Sequence, residues 1–151
     1  IYGSWGRMIA RALDRESLEE VLEFRENMQS PHFKVHYLQE YVEKPGRDIR
    51  ACYIWGDVPA AIYRVSDRWK TNTALGGKAV PANLDEEQFE LVRKAGDELG
   101  GGVLGVDLVE KGSESLVLEV NGIPQYKNIS RVTGVDVSRI IVEKTVERFR
   151  R

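Results

Sequence analysis

The chain has 151 residues, 42% of them apolar and 30% charged, with 22 basic against 24 acidic side chains and a net charge of −2. That length can bury a real core in one domain, and the mixed charge, without long single-sign blocks, argues against nucleic-acid binding. No apolar run approaches the roughly 18 residues of a membrane span and no signal-peptide pattern opens the chain, so a cytoplasmic globular protein is expected.

The first ten residues, IYGSWGRMIA, contain Gly3-Ser4-Trp5-Gly6-Arg7, where glycines permit close backbone approach and successive N–H groups suit a phosphate; a frayed terminus is the plainer alternative. Ser17 and Glu20 match the S-x-x-E capping box of a helix of about 12 residues, apolar at Leu18, Val21, Leu22 and Met28 and ended by Ser30-Pro31. His32 and His36 are the only histidines; without a third soft ligand nearby they do not predict a zinc site. Val35–Val42, Ile49–Trp55 and Val58–Val65 read as the strands of an antiparallel meander, with turns at Pro45-Gly46 and Gly56-Asp57. Cys52, the sole cysteine, lies in the second of these and is expected to be buried and inert. Arg50 and Arg64 interrupt this apolar sheet, and either snorkel to solvent or meet an anionic substrate.

Ser66–Ala82 is the longest irregular stretch, with Trp69 as an anchor, a polar run at Lys70-Thr71-Asn72-Thr73 and Gly76-Gly77 as a hinge; it is a functional loop or a merely mobile one. Asp85 and Gln88 cap the next helix, which buries Phe89, Val92, Ala95 and Leu99 and stops at Gly100-Gly101-Gly102. Gly122–Gly134 reads as a loop, and Asp136 starts a last amphipathic helix with Ile141, Val142, Val146 and Phe149.

Between these helices, Val103–Glu110 and Ser115–Asn121 form a hairpin around Lys111-Gly112-Ser113-Glu114. Symmetry about Ser113 sets Asp107 opposite Glu119, and residues two apart share a face, so Asn121 joins them. Two carboxylates and an amide oxygen suit a hard cation, Mg²⁺ before Ca²⁺, and Mg²⁺ usually arrives with a nucleotide phosphate. The spacing alone also fits an ordinary solvated hairpin.

The order of motifs resembles the C-terminal half of an ATP-grasp ligase of the LysX/ArgX type, related to the RimK-type glutamate ligases. The matching stretches are GSWGR at Gly3–Arg7, QEYVEKPGRDIR at Gln39–Arg50, AAIYR at Ala60–Arg64 and WKTNTALGGKA at Trp69–Ala79. GVLGVDLVE at Gly102–Glu110, LEVN at Leu118–Asn121 and YKN…TGVD at Tyr126–Asp136 follow in the same order. The resemblance implies an α+β fold: the C-terminal region of an ATP-grasp domain, an antiparallel sheet flanked by helices. The whole chain, 1–151, is then one ATP- and Mg-binding fragment, with the family's N-terminal domain and a phosphate-binding lysine lying ahead of it. Alone it is expected to bind nucleotide weakly.

By the same resemblance, Gly3, Ser4, Trp5, Gly6 and Arg7 close over ATP. Gln39, Glu40, Tyr41 and Val42 lie beside the adenine and Asp48 near the ribose, while Lys70, Thr71 and Asn72 reach the phosphates. Asp107, Glu119 and Asn121 hold Mg²⁺. Arg64 is the catalytic residue, and with Tyr126, Lys127 and Asn128 it faces the acceptor substrates. The implied reaction is ATP-dependent ligation of 2-aminoadipate or glutamate to the terminal glutamate of a small acidic amino-group carrier protein, through an acyl phosphate, in lysine or arginine biosynthesis. A homo-oligomer is expected. The alternatives are a RimK-like glutamate ligase acting on a protein or peptide C-terminus and a non-catalytic nucleotide-binding module. Leu75 departs from the arginine expected in TNTARGG, which removes an anion contact.

Overall fold

The computed structural model describes residues 6–150, and the chain divides into two units, residues 1–42 and 43–151. In the first unit, helix α1 (Arg15–Glu26) has the 12 residues expected but opens one turn earlier. Its cap is Asp14, which accepts from the Ser17 backbone N–H at 2.8 Å while Ser17 Oγ accepts from the Asp14 N–H at 3.1 Å. Asp14 outcompetes the Ser17–Glu20 pair because its short carboxylate reaches the orphan N–H of the first turn directly. A 3-10 turn, Pro31–Lys34, follows. Val35–Val42 is not the strand expected from its sequence. Among the described residues of this unit no strand lies alongside to take up its backbone bonds, and Val35, Tyr37 and Leu38 remain exposed.

The second unit is built on a five-stranded antiparallel sheet in the order β3-β2-β1-β4-β5. The strands are β1 (Arg47–Ile54), β2 (Asp57–Val65), β3 (Lys78–Pro81), β4 (Val103–Lys111) and β5 (Glu114–Asn121). The meander therefore exists, but its third strand is β3, a short edge strand ending in proline inside the expected loop. Its first turn is Trp55-Gly56, not Gly56-Asp57: Ile54 pairs with Asp57, and both intervening residues take positive φ, 48° and 91°, as a two-residue hairpin loop requires.

Helix α2 (Glu86–Glu98) opens on the predicted box, with Asp85 accepting from the Gln88 N–H at 2.7 Å. It covers one face of the sheet, where Val92 packs with Ile49, Ala51, Tyr53, Val106 and Leu108. The opposite face carries Cys52, Ile54 and Ile62 against Ile129 and Val137. Those two come from α3 (Lys127–Thr133), a helix where a loop was expected, and α4 (Val137–Phe149). Helix α4 turns Val137, Ile140 and Ile141 inward, so Val142, Val146 and Phe149 are exposed, contrary to the amphipathic reading; Leu99 is exposed too, beyond the end of α2. Cys52 is buried, which pushes its thiol up to about 11. No helix among the described residues is long and apolar enough to cross a membrane.

Gly96 of α2 lies against the Tyr53 ring, where an added Cβ would fall 2.5 Å from ring carbons. Overpacking of this kind costs about 1–3 kcal/mol, partly offset by alanine's helix preference of up to ~1 kcal/mol. Gly96→Ala is expected to lower the urea midpoint, and an unchanged midpoint would show that the ring moves freely.

Candidate functional site

The face that holds Cys52 and Ile62 changes character along the strands. Asp48 and Arg50 share it with Cys52 by the two-residue repeat of β1, and register brings Arg64 opposite Asp48 and Asp107 opposite Arg50. The apolar half of the face thus gives way to a charged half, and the charges are linked. Arg50 makes a forked pair with Asp107, from Nε to Oδ1 and from Nη2 to Oδ2, the latter at 2.7 Å. Arg64 bridges two carboxylates, donating from Nε to Asp48 at 2.6 Å and from Nη2 to Asp107 at 2.9 Å. Asp48 also accepts from the Thr71 hydroxyl and lies 3.3 Å from Lys44 Nζ, which donates to Thr71 Oγ1 at 2.7 Å. Among the described residues, no buried side-chain polar atom lacks a partner.

Burial and pairing pull these groups in opposite directions. Burial raises the Asp48 carboxyl, but Arg64, Thr71 and Lys44 outweigh it and hold Asp48 below the usual carboxylate range. For Asp107 burial prevails over Arg50 and Arg64, and the carboxyl sits above that range. Arg64 is also desolvated, yet Asp107 and Asp48 keep its pKa raised.

The hairpin achieves the predicted pairing by an unpredicted route. Its turn closes on Lys111↔Glu114, so a regular ladder would set Leu118 opposite Asp107. A bulge interrupts the register between Leu108↔Val117 and Asp107↔Glu119, leaving Leu118 as the extra residue. That single insertion aims Glu119 at Asp107 and Asn121 at Gly105. Asn121 Nδ2 donates to Glu119 Oε1 at 2.9 Å, and Arg50 Nη2 lies 3.7 Å from the same oxygen.

Residues 1–145 match the RimK-like ATP-grasp domain. The chain belongs to the RimK-like ATP-grasp family. It is 46% identical over 149 residues to the alpha-aminoadipate–LysW ligase LysX of Saccharolobus solfataricus, covering 97% of this chain and 54% of that protein. It is 34% identical over 143 residues to the glutamate–LysW ligase ArgX of Sulfolobus acidocaldarius, covering 93% and 51%. The chain thus spans about half the length of the curated relatives it matches. The D-alanine–D-alanine ligase of Bacillus anthracis, solved with ATP, shares the fold with a TM-score of 0.59 at 18% identity, over 89% of this chain and 47% of that one. The α+β ATP-grasp fold expected from the motifs is the fold of this chain.

ATP-grasp membership implies a nucleotide and a divalent cation, and the donors of the hairpin fit the cation. Asp107, Glu119 and Asn121 supply hard oxygens, and the Arg50 guanidinium, itself a cation, stands between the two carboxylates. Among the described residues no three His, Cys, Asp or Glu side chains gather, so an ion here would draw its remaining ligands from water or phosphate.

The other expected site residues are distributed as follows. Thr71 is buried beneath the ion pairs and bonded to Asp48, while Lys70 Nζ lies over the Trp69 ring at 4.9 Å. The Asn72 carbonyl accepts from Leu75 and Gly77 and closes the 3-10 turn Thr73–Leu75. Gly77 has no room for a side chain, since a Cβ there would fall 2.2 Å from the Thr71 carbonyl oxygen; it is a packing glycine. Tyr126, Lys127 and Asn128 form the first turn of α3, and Asn128 Oδ1 lies 3.5 Å from Arg131 Nη2. Gly6, Arg7 and Gln39, Glu40, Tyr41 and Val42 belong to the first unit, where Arg11 stacks on Tyr41 at 3.9 Å. Gly3, Ser4 and Trp5 lie outside the described residues. Lys44 lies within the matching stretch Gln39–Arg50 but was assigned no role there; it precedes β1, and its partner Thr71 is 27 residues away.

Proposed function

We propose that the whole protein is an ATP-dependent carboxylate–amine ligase that joins the α-amino group of 2-aminoadipate to the terminal glutamate of a small acidic amino-group carrier protein. The observation that carries this reading is the 46% identity to LysX over 97% of the chain, against 34% to ArgX. In the proposed reaction the carrier carboxylate attacks the γ-phosphorus, the bond to ADP breaks, and an acyl phosphate forms. The amine nitrogen then attacks the acyl carbon, the C–O bond to phosphate breaks, inorganic phosphate leaves, and the amine proton passes to solvent.

Such a reaction needs positioning and charge neutralisation, not a protein nucleophile. Asp107, Glu119 and Asn121 would hold Mg²⁺, which when bound screens phosphate charge. Arg64, expected to be the catalytic residue facing the acceptor, is read here as a positioning residue, because it is buried with Nε on Asp48 and Nη2 on Asp107 and so ties the two carboxylates together across three strands. By the family resemblance, Asp48, Lys70, Thr71 and Asn72 are assigned to ATP, as are residues 3–7 and 39–42 of the sequence, and Tyr126, Lys127 and Asn128 to the amino-acid substrate.

ADP release from the full-length protein, with Mg²⁺-ATP, carrier and each amino acid supplied separately, tests the reading. Turnover with 2-aminoadipate and a matching mass shift on the carrier is expected. Turnover with glutamate alone would move the protein to the ArgX-like branch, and ADP release without a carrier adduct would contradict the proposal.

A further inference from the structure

We infer that Arg50 is a tethered counter-ion that occupies the divalent-cation position of the hairpin and must release Asp107 before the ion binds, so that ion entry is coupled to the arrival of an anion. The inference rests on the proposed cation site at Asp107, Glu119 and Asn121 and adds a role for a residue outside that set.

Geometry carries it. Arg50, Asp107 and Glu119 face one another in a row across β1, β4 and β5. Arg50 Nη2 is 2.7 Å from Asp107 Oδ2 and 3.7 Å from Glu119 Oε1, so one nitrogen lies between two carboxylates that an ion would share. The Arg50 stem is confined beside Gly105, where a Cβ would meet the Pro124 ring at 2.9 Å and Arg50 Cδ at 3.6 Å. The head group is less confined, with the side chain 17% exposed beside a Glu119 that is 57% exposed. Release leaves Asp107 paired, because Arg64 holds it independently at 2.9 Å.

Charge explains why release needs company. Lys44, Arg50 and Arg64 balance Asp48, Asp107 and Glu119, three against three. A divalent ion added alone would leave two surplus positive charges at a largely buried cluster, which is costly. A polyphosphate arriving with the ion removes that surplus and offers the freed guanidinium a new anionic partner.

Mn²⁺ binding to the full-length protein, followed by the paramagnetic signal of the free ion with and without ADP, tests this without any turnover. Wild type is expected to bind Mn²⁺ weakly alone and far more tightly with ADP. Arg50→Met should bind Mn²⁺ alone about tenfold tighter than wild type, the scale of one charge-assisted hydrogen bond. Arg50→Lys, which keeps the charge but loses the fork, should fall between and carries the comparison if Arg50→Met does not fold. Equal or weaker Mn²⁺ binding by the Arg50 variants, while Glu119→Gln still weakens it, would overturn the latch and leave the cation site standing. Mn²⁺ binding indifferent to Glu119→Gln in every condition would overturn the site and the latch together.

Discussion

Glu119→Gln is expected to reduce Mg²⁺-dependent ATP turnover of the full-length protein by roughly 10²–10³-fold, because cation stabilisation of phosphoryl transfer is worth several kcal/mol and each ~1.4 kcal/mol is tenfold in rate. The fold should be indifferent to the change. Glu119 is more than half exposed, and glutamine retains the oxygen that accepts from Asn121. The loss should therefore appear in kcat with an unchanged melting temperature. Full activity in the variant would remove Glu119 from the cation site; a large fall in melting temperature would make it a structural residue instead.

Arg64→Met should act on the fold first. The guanidinium joins two buried carboxylates on neighbouring elements of the cluster, and removing one partner of a buried pair typically costs about 3–5 kcal/mol. The lower end applies, since Arg50 remains on Asp107, and Lys44 and Thr71 on Asp48. The loss should depend on pH with a definite sign. In the native protein Asp48 is held below the usual carboxylate range, so its contribution is complete above the unfolded value of about 3.9 and fades as pH falls through the lowered folded value. Without Arg64, the largest of the influences opposing burial is lost and the Asp48 pKa moves up, so acidification costs the variant less stability than it costs wild type. Denaturant unfolding should show the wild-type advantage largest near neutrality and shrinking towards about pH 4. A gap constant across that range would mean that Arg64 acts through packing alone.

What the sequence reveals about this domain divides along a physical line. Local signals survive folding: the Asp85–Gln88 box starts α2, and the apolar stretches of β1, β2 and β4 mark central strands that have partners on both sides. Val35–Val42 is rich in the same strand-forming residue types but has no strand beside it among the described residues of its unit, and strand propensity without a ladder does not make a strand. Helix α3 was illegible for another reason. Tyr126 offers no side-chain cap, and the helix has only seven residues, fixed by burial of Ile129 rather than by its own propensity.

The hairpin site shows both cases at once. Asp107, Glu119 and Asn121 were legible as a group, yet counting from Ser113 reaches the right pairing only because the bulge at Leu118 cancels a turn centre that lies half a residue earlier. Arg50 and Arg64 were visible as misplaced charges in an apolar sheet; that both converge on Asp107 depends on cross-strand register. Lys44 and Thr71 entered the cluster only through the fold.

The central claim, ligation through an acyl phosphate, has a direct test. The carrier's terminal glutamate would be labelled with ¹⁸O in its carboxylate and incubated with the full-length protein, Mg²⁺-ATP and 2-aminoadipate, and the inorganic phosphate analysed by mass spectrometry. One ¹⁸O per phosphate, matched to the amount of carrier adduct, is predicted, because the carboxylate oxygen that attacks the γ-phosphorus leaves with it. Adduct formation with unlabelled phosphate, or with the label in AMP, would contradict the mechanism.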